Sequence, residues 1–344
     1  MMILSIDTSC DETAVAVTDE RHILANKIYS QILIHKKWGG VVPSLAKRAH
    51  EERIDTVISE AVQGSGIGDI ANVDYIAVTQ GPGLAVALEV GIRKAKELAK
   101  RFGKKVIVVN HMEGHIYSCF AQNSNGNPKR DFVFPFLAFL ISGGHTELVI
   151  MNDHLSYEII GETIDDACGE ALDKAAKMLG LGYPGGAVIE RLAKTGDKKA
   201  YLFPRPLYRS KDINFSFSGL KTAFYYALKK MPKETIINNL NNLAASFQEA
   251  VFDSLFNKLE QAMKKTSINR IIVAGGVVAN TYLRAKIRKL VKTYGGTVFF
   301  PPFATLCGDN AAMIGIAAYY KTQKGLFIDD LDRLDRVPRL RLSF

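Results

Sequence analysis

Two histidines four residues apart are the clearest candidate metal ligands in the sequence. The segment HMEGH, residues 111–115, follows an apolar run typical of a strand and is predicted to open a helix. Side chains at positions i and i+4 lie on one helix face, so His111 and His115 can reach the same ion. The same spacing also arises by accident on surfaces or in a satisfied core. A zinc peptidase has glutamate directly after the first histidine, where this chain has Met112, which argues against that mechanism.

Carboxylates elsewhere in the chain extend this chemistry. Asp309, in CGDNAAMIG, heads the last predicted helix and is the expected third metal ligand, although aspartate is also a common N-cap. Asp11 and Glu12, in DTSCDET, follow a turn of small residues. Paired acids at such a place are candidates for a general base or a cation site, and the alternative is that they are solvated turn residues.

Three turns of small residues are candidate nucleotide contacts. Residues 7–9 (DTS) and 142–144 (SGG) each connect two predicted strands, and small residues let backbone N–H groups approach phosphate oxygens closely. The segment AGGVVAN, which ends at Asn280, lies between a strand and a helix. Its glycines leave room for an adenosine, and the Asn280 amide can bind a base or ribose edge. The segment lacks the GxGxxG pattern of a Rossmann site, and the chain has no P-loop motif.

The elements that would position these residues occur twice. MILSID, TAVAVTD and HILANKIYS read as three sequential strands, and FLAFLIS, LVIMND and LSYEIIGE repeat that order about 135 residues later. Short links favour antiparallel pairing, and alternating helices and strands follow each triplet. This pattern predicts an α/β fold of the duplicated actin, Hsp70 and sugar-kinase type (the ASKHA fold), with two lobes and a nucleotide cleft between them.

Domain boundaries follow from the same duplication. We expect a first lobe at residues 1–122, completed by the C-terminal helix at about 308–325, and a second lobe at residues 131–307. Helical insertions are expected at about 169–264 within the second lobe. Residues 326–344 form a short basic tail.

Composition restricts the compartment and the partners. Four cysteines without a CxxC pair favour a reducing compartment, no apolar run approaches a membrane span, and early acids argue against a secretory signal. We therefore expect a cytoplasmic protein that does not bind a membrane. The 344 residues carry a net charge of +9 (44 cationic against 35 acidic side chains). This charge indicates either a well-solvated surface or an anionic partner such as RNA.

Nine motifs in order resemble one family. DTSCDET, VVPSLAKRAH, GPGL, HMEGH, LISGGHTEL, GEALDKAAKMLGLGYPGG, FSFSGLKTA, AGGVVAN and CGDNAAM are similar to those of the tRNA N6-adenosine threonylcarbamoyltransferases (the TsaD, Kae and Gcp proteins), formerly called O-sialoglycoprotein endopeptidases. The resemblance spans residues 2 to about 320 and points to the bacterial branch. It implies transfer of a threonylcarbamoyl group from threonylcarbamoyl-adenylate to N6 of the adenine 3′ of the anticodon, in tRNAs that read codons beginning with A.

The resemblance also implies roles for individual residues and partners. His111, His115 and Asp309 correspond to ligands of one Fe²⁺ or Zn²⁺ ion, and Asp11, with Glu12, is the expected proton acceptor. The positions that correspond to adenylate contacts are Leu140, Ile141, Ser142, Gly143, Gly144, Asp173, Gly186, Glu190 and Asn280. Asp173 can alternatively form a surface ion pair with Lys177. Expected protein partners are a related non-catalytic subunit and a small P-loop ATPase. Val86 departs from the family, which usually has glycine there.

Two other function classes are compatible with the residues alone. A phosphotransferase or ATPase of the same fold would explain the phosphate turns but not the histidine pair. A non-catalytic lobe of a larger assembly would need neither the phosphate turns nor the histidine pair. Bound metal argues against a simple kinase, and turnover of threonylcarbamoyl-adenylate argues against a scaffold.

Overall fold

A computed structural model describes residues 1–342 and divides the chain into two compact units. Unit 1 comprises Met1–Val133, Asp153–Tyr157 and the residues from Phe300 onward, and unit 2 comprises Phe134–Asn152 and Glu158–Phe299. Each unit contains one sheet.

The strands are short and begin and end close to the apolar runs of the sequence. In unit 1 they are β1 (Met2–Asp7), β2 (Glu12–Asp19), β3 (His22–Ser30), β4 (Tyr75–Gly81), β5 (Lys105–Asn110) and β6 (Gln122–Asn123). The other sheet consists of β7 (Phe136–Ile141), β8 (Thr146–Asp153), β9 (Ser156–Glu162), β10 (Arg270–Ala274) and β11 (Thr297–Phe299).

Helices connect these strands and supply most of unit 2. Those of unit 1 are α1 (Ile32–His35), α2 (Pro43–Ser65), α3 (Ala85–Phe102), α4 (His111–Tyr117) and, after unit 2, α11 (Ala311–Gln323). Those of unit 2 are α5 (Cys168–Met178), α6 (Gly185–Ala193), α7 (Ser218–Lys229), α8 (Lys233–Asn238), α9 (Leu240–Thr266) and α10 (Thr281–Thr293). None of the helices in residues 1–342 is long and apolar enough to cross a membrane.

The two sheets confirm the predicted duplication. Their strand orders are β5-β4-β1-β2-β3-β6 and β11-β10-β7-β8-β9, so the first five positions correspond one to one. In both sheets the first hairpin is antiparallel, and the later strands join the first strand in parallel. The same chain path therefore occurs twice, as the repeated strand triplets indicated.

Helices cover both faces of the unit 1 sheet. Leu4 and Ile6 of β1 pack with Ile54 of α2 and Val90 of α3 in one apolar cluster. The intervening residue Ser5 faces the other side, where its Oγ donates to the Ala311 carbonyl of α11 over 2.7 Å. Because side chains alternate along a strand, burial on both faces explains why β1 reads as a continuous apolar run rather than an alternating one.

The residues after α11 pack against unit 1. The Ile328 N–H donates to the Val106 carbonyl over 2.9 Å, and the Val337 N–H donates to the Gln80 carbonyl over 2.9 Å. Leu334 is buried in the same apolar cluster as α2 and α3. The basic C-terminal segment thus adds apolar anchors to the unit as far as residue 342.

Candidate active site

His111, His115 and Asp309 lie together in unit 1, although the aspartate is far from the histidines in the sequence. The Nε2 atoms of both histidines lie 3.3 Å from Oδ1 of Asp309. The two ring centroids are 4.7 Å apart. One ligand atom from each of the three side chains lies within 4.8 Å of the others, which is close enough for a single ion.

The local sequence explains why both histidines face the same way. Asn110 ends β5 and caps α4, since its Oδ1 accepts hydrogen bonds from the N–H groups of Met112 and Glu113 at 2.8 and 3.4 Å. The helix therefore begins at His111 as predicted. Gly114 allows α4 to approach α11 closely, because a Cβ at that position would lie 2.8 Å from Cδ1 of Ile314.

Asp309 is not the N-cap of the last helix, so that alternative is wrong. The cap of α11 is Asn310, whose Oδ1 accepts from the Met313 N–H over 3.0 Å. Because the neighbouring residue performs the capping, the Asp309 carboxylate remains directed at the histidines.

The hydrogen-bonding state of the cluster fits a metal site. His115 is fully buried, and neither of its ring nitrogens has a hydrogen-bond partner within residues 1–342. Nδ1 of His111 also lacks a hydrogen bond there, although Oδ2 of Asp7 lies 3.6 Å away. Buried polar atoms without partners are costly unless a ligand satisfies them, and a cation held by His115, His111 and Asp309 would satisfy one nitrogen of each imidazole.

Electrostatics around the cluster favour a positive charge. Burial opposes protonation of His111, yet the carboxylates of Asp309 and Asp7 raise its pKa well above the ordinary value. Burial lowers the pKa of His115. Burial also disfavours the charged form of Asp309, but the two histidines hold its pKa well below the usual range. Such a field is the electrostatic requirement for binding a cation.

The two candidate acids after the first turn share this environment. Asp11 is buried. Burial, with further contributions from Asp309 and Asp11, raises the pKa of Glu12 well above its ordinary value. Glu12 begins β2, is partly exposed and lies within electrostatic range of Asp309. The alternative of a solvated turn residue is wrong for the buried Asp11.

Most of the polar groups in the turn at residues 7–9 form hydrogen bonds within the protein. The Thr8 hydroxyl donates to the Ala87 carbonyl over 2.9 Å and accepts from the Gly91 N–H over 3.2 Å. Asp7 accepts from the Ser9 N–H over 3.2 Å. Within the described part of the chain, the buried Ser9 hydroxyl has no hydrogen-bond partner. Oδ2 of Asp7 likewise has no hydrogen-bond partner within residues 1–342.

The corresponding turn of unit 2 is open. Leu140 and Ile141 end β7, and the Ser142 Oγ accepts from the His145 N–H over 3.0 Å, which closes the turn. Gly143 and Gly144 are exposed, and a Cβ added at either would have no heavy atom within 4 Å.

Two glycines bring neighbouring segments of unit 2 against this turn. A Cβ at Gly169, in the first turn of α5, would lie 2.7 Å from the Ser142 carbonyl oxygen. A Cβ at Gly275 would lie 2.5 Å from the Ile141 carbonyl oxygen, and this glycine has a φ of +106°. Larger residues would push the segments apart, so AGGVVAN and α5 depend on glycine to reach the turn.

The remaining candidates of unit 2 are linked in pairs. The Gly186 N–H donates to Oδ1 of Asp173 over 2.9 Å, which joins α6 to α5. Glu190 of α6 accepts from both the N–H and the hydroxyl of Thr281 at 2.9 Å each. Thr281 directly follows Asn280, so these contacts bring Glu190 and Asn280 into one neighbourhood.

Asn280 has structural contacts that the sequence did not predict. Its Oδ1 caps α10 by accepting from the Leu283 N–H over 3.0 Å, and its Nδ2 donates to Oε1 of Gln248 over 2.9 Å. Gln248 lies on α9 outside any motif, and nothing in its local pattern distinguishes it from other helical polar residues.

Comparison with solved structures identifies the class of fold. HypF from T. kodakarensis matches with a TM-score of 0.60 at 13% identity, over 94% of this chain and 48% of that chain. The activator of 2-hydroxyisocaproyl-CoA dehydratase from Clostridium difficile matches with a TM-score of 0.52 at 12% identity, over 96% of this chain and 99% of that chain. Together with the duplicated sheets, these matches show the actin, Hsp70 and sugar-kinase type of fold.

Comparison with known sequences identifies the family. The family model described as TsaD, tRNA N6-adenosine threonylcarbamoyltransferase, matches residues 22–316. Proteins of that name from Thermosipho africanus and Geotalea uraniireducens are 45% and 48% identical, over 99% and 97% of this chain and 100% and 95% of theirs. The protein from Clostridioides difficile is 45% identical over 100% of this chain and 99% of its own. This chain belongs to the tRNA N6-adenosine threonylcarbamoyltransferase family, and the resemblance noted in its motifs is confirmed.

Proposed function

We propose that this protein transfers the threonylcarbamoyl group of threonylcarbamoyl-adenylate to N6 of the adenine 3′ of the anticodon in tRNAs that read codons beginning with A. The observation that carries the proposal is family membership at 45–48% identity over nearly the whole chain. None of these comparisons favours a phosphotransferase. The setting that we propose is the cytoplasm, where the tRNA is present.

The reaction exchanges one acyl bond for another. The N6 amine forms a bond to the carbamoyl carbon, the bond from that carbon to the phosphate oxygen breaks, and adenylate leaves. The donor is a mixed carbamic–phosphoric anhydride, so the leaving group needs little acid assistance. The adenine amine is a poor nucleophile because its lone pair is delocalised into the ring. The rate must therefore come largely from positioning of the reactants and from polarisation of the carbonyl.

We assign the metal ligands to His111, His115 and Asp309. A bound Fe²⁺ or Zn²⁺ would act as a Lewis acid toward the donor. The unpartnered nitrogens of His115 and the 3.3 Å approaches of both histidines to Asp309 support this assignment. Oδ2 of Asp7, 3.6 Å from Nδ1 of His111, adds a second carboxylate beside this ring.

The proton released from N6 requires an acceptor. We assign that role to the buried Asp11, with the partly exposed Glu12 as its acidic neighbour. A carboxylate in this position accepts the proton as the N–C bond forms.

We assign donor binding to the residues that converge in unit 2. The exposed Gly143 and Gly144 leave space beside backbone N–H groups for the phosphate or carbamoyl group. The linked pairs Asp173–Gly186 and Glu190–Thr281 and the Asn280 amide supply polar groups for the adenosine. Leu140, Ile141 and Ser142 supply the backbone that leads into the turn.

Nucleoside analysis tests the proposed function directly. The protein is incubated with threonylcarbamoyl-adenylate and an unmodified tRNA that reads codons beginning with A, and digested nucleosides are analysed by mass spectrometry. We expect N6-threonylcarbamoyladenosine from wild type and none from an Asp11→Asn variant that retains its thermal melt. A tRNA with guanine in place of the target adenine is the substrate control. Adenylate release without nucleoside product, with every partner present, would contradict the proposal.

The partners that we propose are a related non-catalytic subunit and a small P-loop ATPase, with α2 as the contact. Ala49 and Val57 of α2 are buried in unit 1, so the proposed contact uses the exposed side of this helix. Arg48 remains exposed and pairs with Glu52 over 2.7 Å.

Arg48→Glu should weaken the complex by about tenfold or more in a sedimentation or calorimetric titration. Its melt should change by only a few degrees, because an exposed helix ion pair contributes only about 0.3–0.5 kcal/mol. Unchanged affinity would exclude this face.

A further inference from the structure

An exposed aromatic segment projects from unit 1 directly after strand β3. Trp38 is the chain's one tryptophan, and 63% of its surface is exposed. Leu33, one turn earlier, is 79% exposed. Lys36 and Lys37, which precede the tryptophan, are also exposed and form no ion pair within residues 1–342. Large apolar side chains in this setting mark an interaction surface.

A buried anchor holds this segment in place. His35 is fully buried, and its Nδ1 accepts from the Val42 N–H over 3.3 Å. That acceptance leaves the proton on Nε2, which donates to Oε1 of Gln31 over 3.1 Å. Gly39 then ends the turn with a φ of 65°, a conformation that favours glycine. The exposed tryptophan therefore projects from a fixed turn.

The same anchor connects the segment to the candidate acid. The Gln31 N–H donates to the Asp11 carbonyl over 2.9 Å, so one backbone hydrogen bond joins the base of the segment to Asp11. The segment that carries Trp38 is therefore anchored directly to the chain that supplies the proposed proton acceptor.

The chemistry of the surface favours a single-stranded nucleic acid. An indole presents a flat face on which any base can stack, and two unpaired lysines beside it attract the phosphates on either side of that base. A protein partner of ordinary composition would be expected to meet acidic as well as basic groups, and this segment offers only cations and apolar groups.

We propose that Trp38 stacks on a base of the tRNA anticodon loop next to the target adenine, with Lys36 and Lys37 on the adjoining phosphates. The inference rests on the proposed function for the identity of the RNA. The target adenine must leave its stack before its N6 amine can react, and stacking of a neighbouring base on Trp38 compensates for the stacking that is lost.

Intrinsic fluorescence of the full chain tests this directly, because Trp38 is its one tryptophan. The probe is a synthetic anticodon stem–loop RNA. We expect saturable quenching with wild type and about tenfold weaker binding, by filter retention, for Trp38→Ala. Trp38→Phe should retain most of the affinity. Lys36→Gln with Lys37→Gln should lower the salt dependence of binding by about 1.4 in log–log slope, as expected for two phosphates of a single strand.

A second exposed aromatic with adjacent lysines provides the matched control. Tyr226→Ala with Lys229→Gln and Lys230→Gln, on α7 of unit 2, removes the same groups elsewhere and should leave RNA affinity unchanged. Unaltered binding by Trp38→Ala, or quenching that depends on a protein partner and not on RNA, would overturn the proposal. Nucleoside formation by wild type is measured in parallel. If wild type forms the modified nucleoside and Trp38→Ala binds the RNA as tightly as wild type does, only this inference is refuted. If the RNA quenches the wild-type fluorescence but no modified nucleoside forms, only the proposed function is refuted.

Discussion

Both ring nitrogens of His115 are buried without a hydrogen-bond partner in the described chain, and their arrangement is costly unless something else satisfies them. The cost is concentrated where Asp309 and His111 bring two further ligand atoms within 4.8 Å. At the scale of single residues, this juxtaposition is the strongest support for a metal site.

Replacement of either histidine should therefore remove the metal. After loading with Fe²⁺ or Zn²⁺, His111→Ala and His115→Ala should each bind metal more than about tenfold more weakly than wild type, because two ligands hold a divalent ion poorly. Elemental analysis of the dialysed proteins measures this. His22→Ala, which removes a histidine at the start of β3, is the control. Equal metal content in all four proteins would refute the site.

Gly144 permits a test of donor binding at the same scale. The φ of this glycine is not positive, so a side chain causes no backbone strain there. A valine there would meet no heavy atom within 4 Å of its Cβ, so Gly144→Val should melt as wild type does. It should nevertheless lose at least about tenfold in affinity for a non-hydrolysable adenylate in calorimetry, and Gly144→Ala should lose less. Normal binding by Gly144→Val would exclude this turn as the donor site.

Asn280 needs a more careful substitution because it also caps α10. Asn280→Ala should lower the free energy of unfolding by about 1 kcal/mol through loss of the cap alone. Asn280→Ser keeps a capping oxygen but removes the amide. Weaker adenylate binding by the serine variant is therefore the expected result, with a smaller loss of stability than in the alanine variant, measured by titration alongside urea unfolding. If the serine variant binds as wild type does, the residue is structural only.

At the scale of elements, a buried ion pair joins the two helices that present the metal ligands. Glu113 of α4 and Lys321 of α11 approach within 3.1 Å, and Glu113 has no exposed surface. The Tyr157 hydroxyl donates to Oε1 of the same glutamate over 3.1 Å. These contacts commit Glu113 to the packing between α4 and α11.

Breaking this pair should be more harmful than replacing it. Glu113→Gln or Lys321→Met alone should each lower the free energy of unfolding by about 3–5 kcal/mol, because the remaining charge is buried and unpaired. The double variant should lose less than the sum of the two single changes. Urea unfolding of the four proteins gives the coupling energy. Simple additivity would show that the pair does not couple α4 to α11.

At the scale of the whole molecule, His154 makes stability depend on pH. Burial lowers its pKa to about 4 from an ordinary 6.5. Its ring stacks on Tyr320 at 3.8 Å, and the Tyr117 hydroxyl contacts its Nδ1 at 3.1 Å. Of the charged groups around it, Lys324 and Arg21 add to the lowering, and Asp153 opposes it.

The sign of the effect follows from proton uptake. As the pH falls, the unfolded chain takes up a proton on this ring near pH 6.5, whereas the folded chain does so only near pH 4. The contribution of His154 to the free energy of unfolding is therefore fully present above pH 6.5 and is lost as the pH falls toward 4. His154→Asn keeps a hydrogen-bond acceptor but cannot titrate. Between pH 7.5 and 5, wild type should therefore lose more unfolding free energy than the variant in urea titrations. Parallel losses would show that the ring does not contribute.

Local order in the sequence determined much of the molecule. The duplicated triplets predicted two sheets of the same strand order, because a strand and its turn can be recognised from a few neighbouring residues. The spacing of His111 and His115 predicted a shared helix face for the same reason. Tertiary structure decided the rest. The approach of Asp309 to both histidines, the burial of Asp11, and the Asn280–Gln248 contact depend on packing between distant segments. No local pattern records that packing, and only the folded chain brings those atoms within bonding distance.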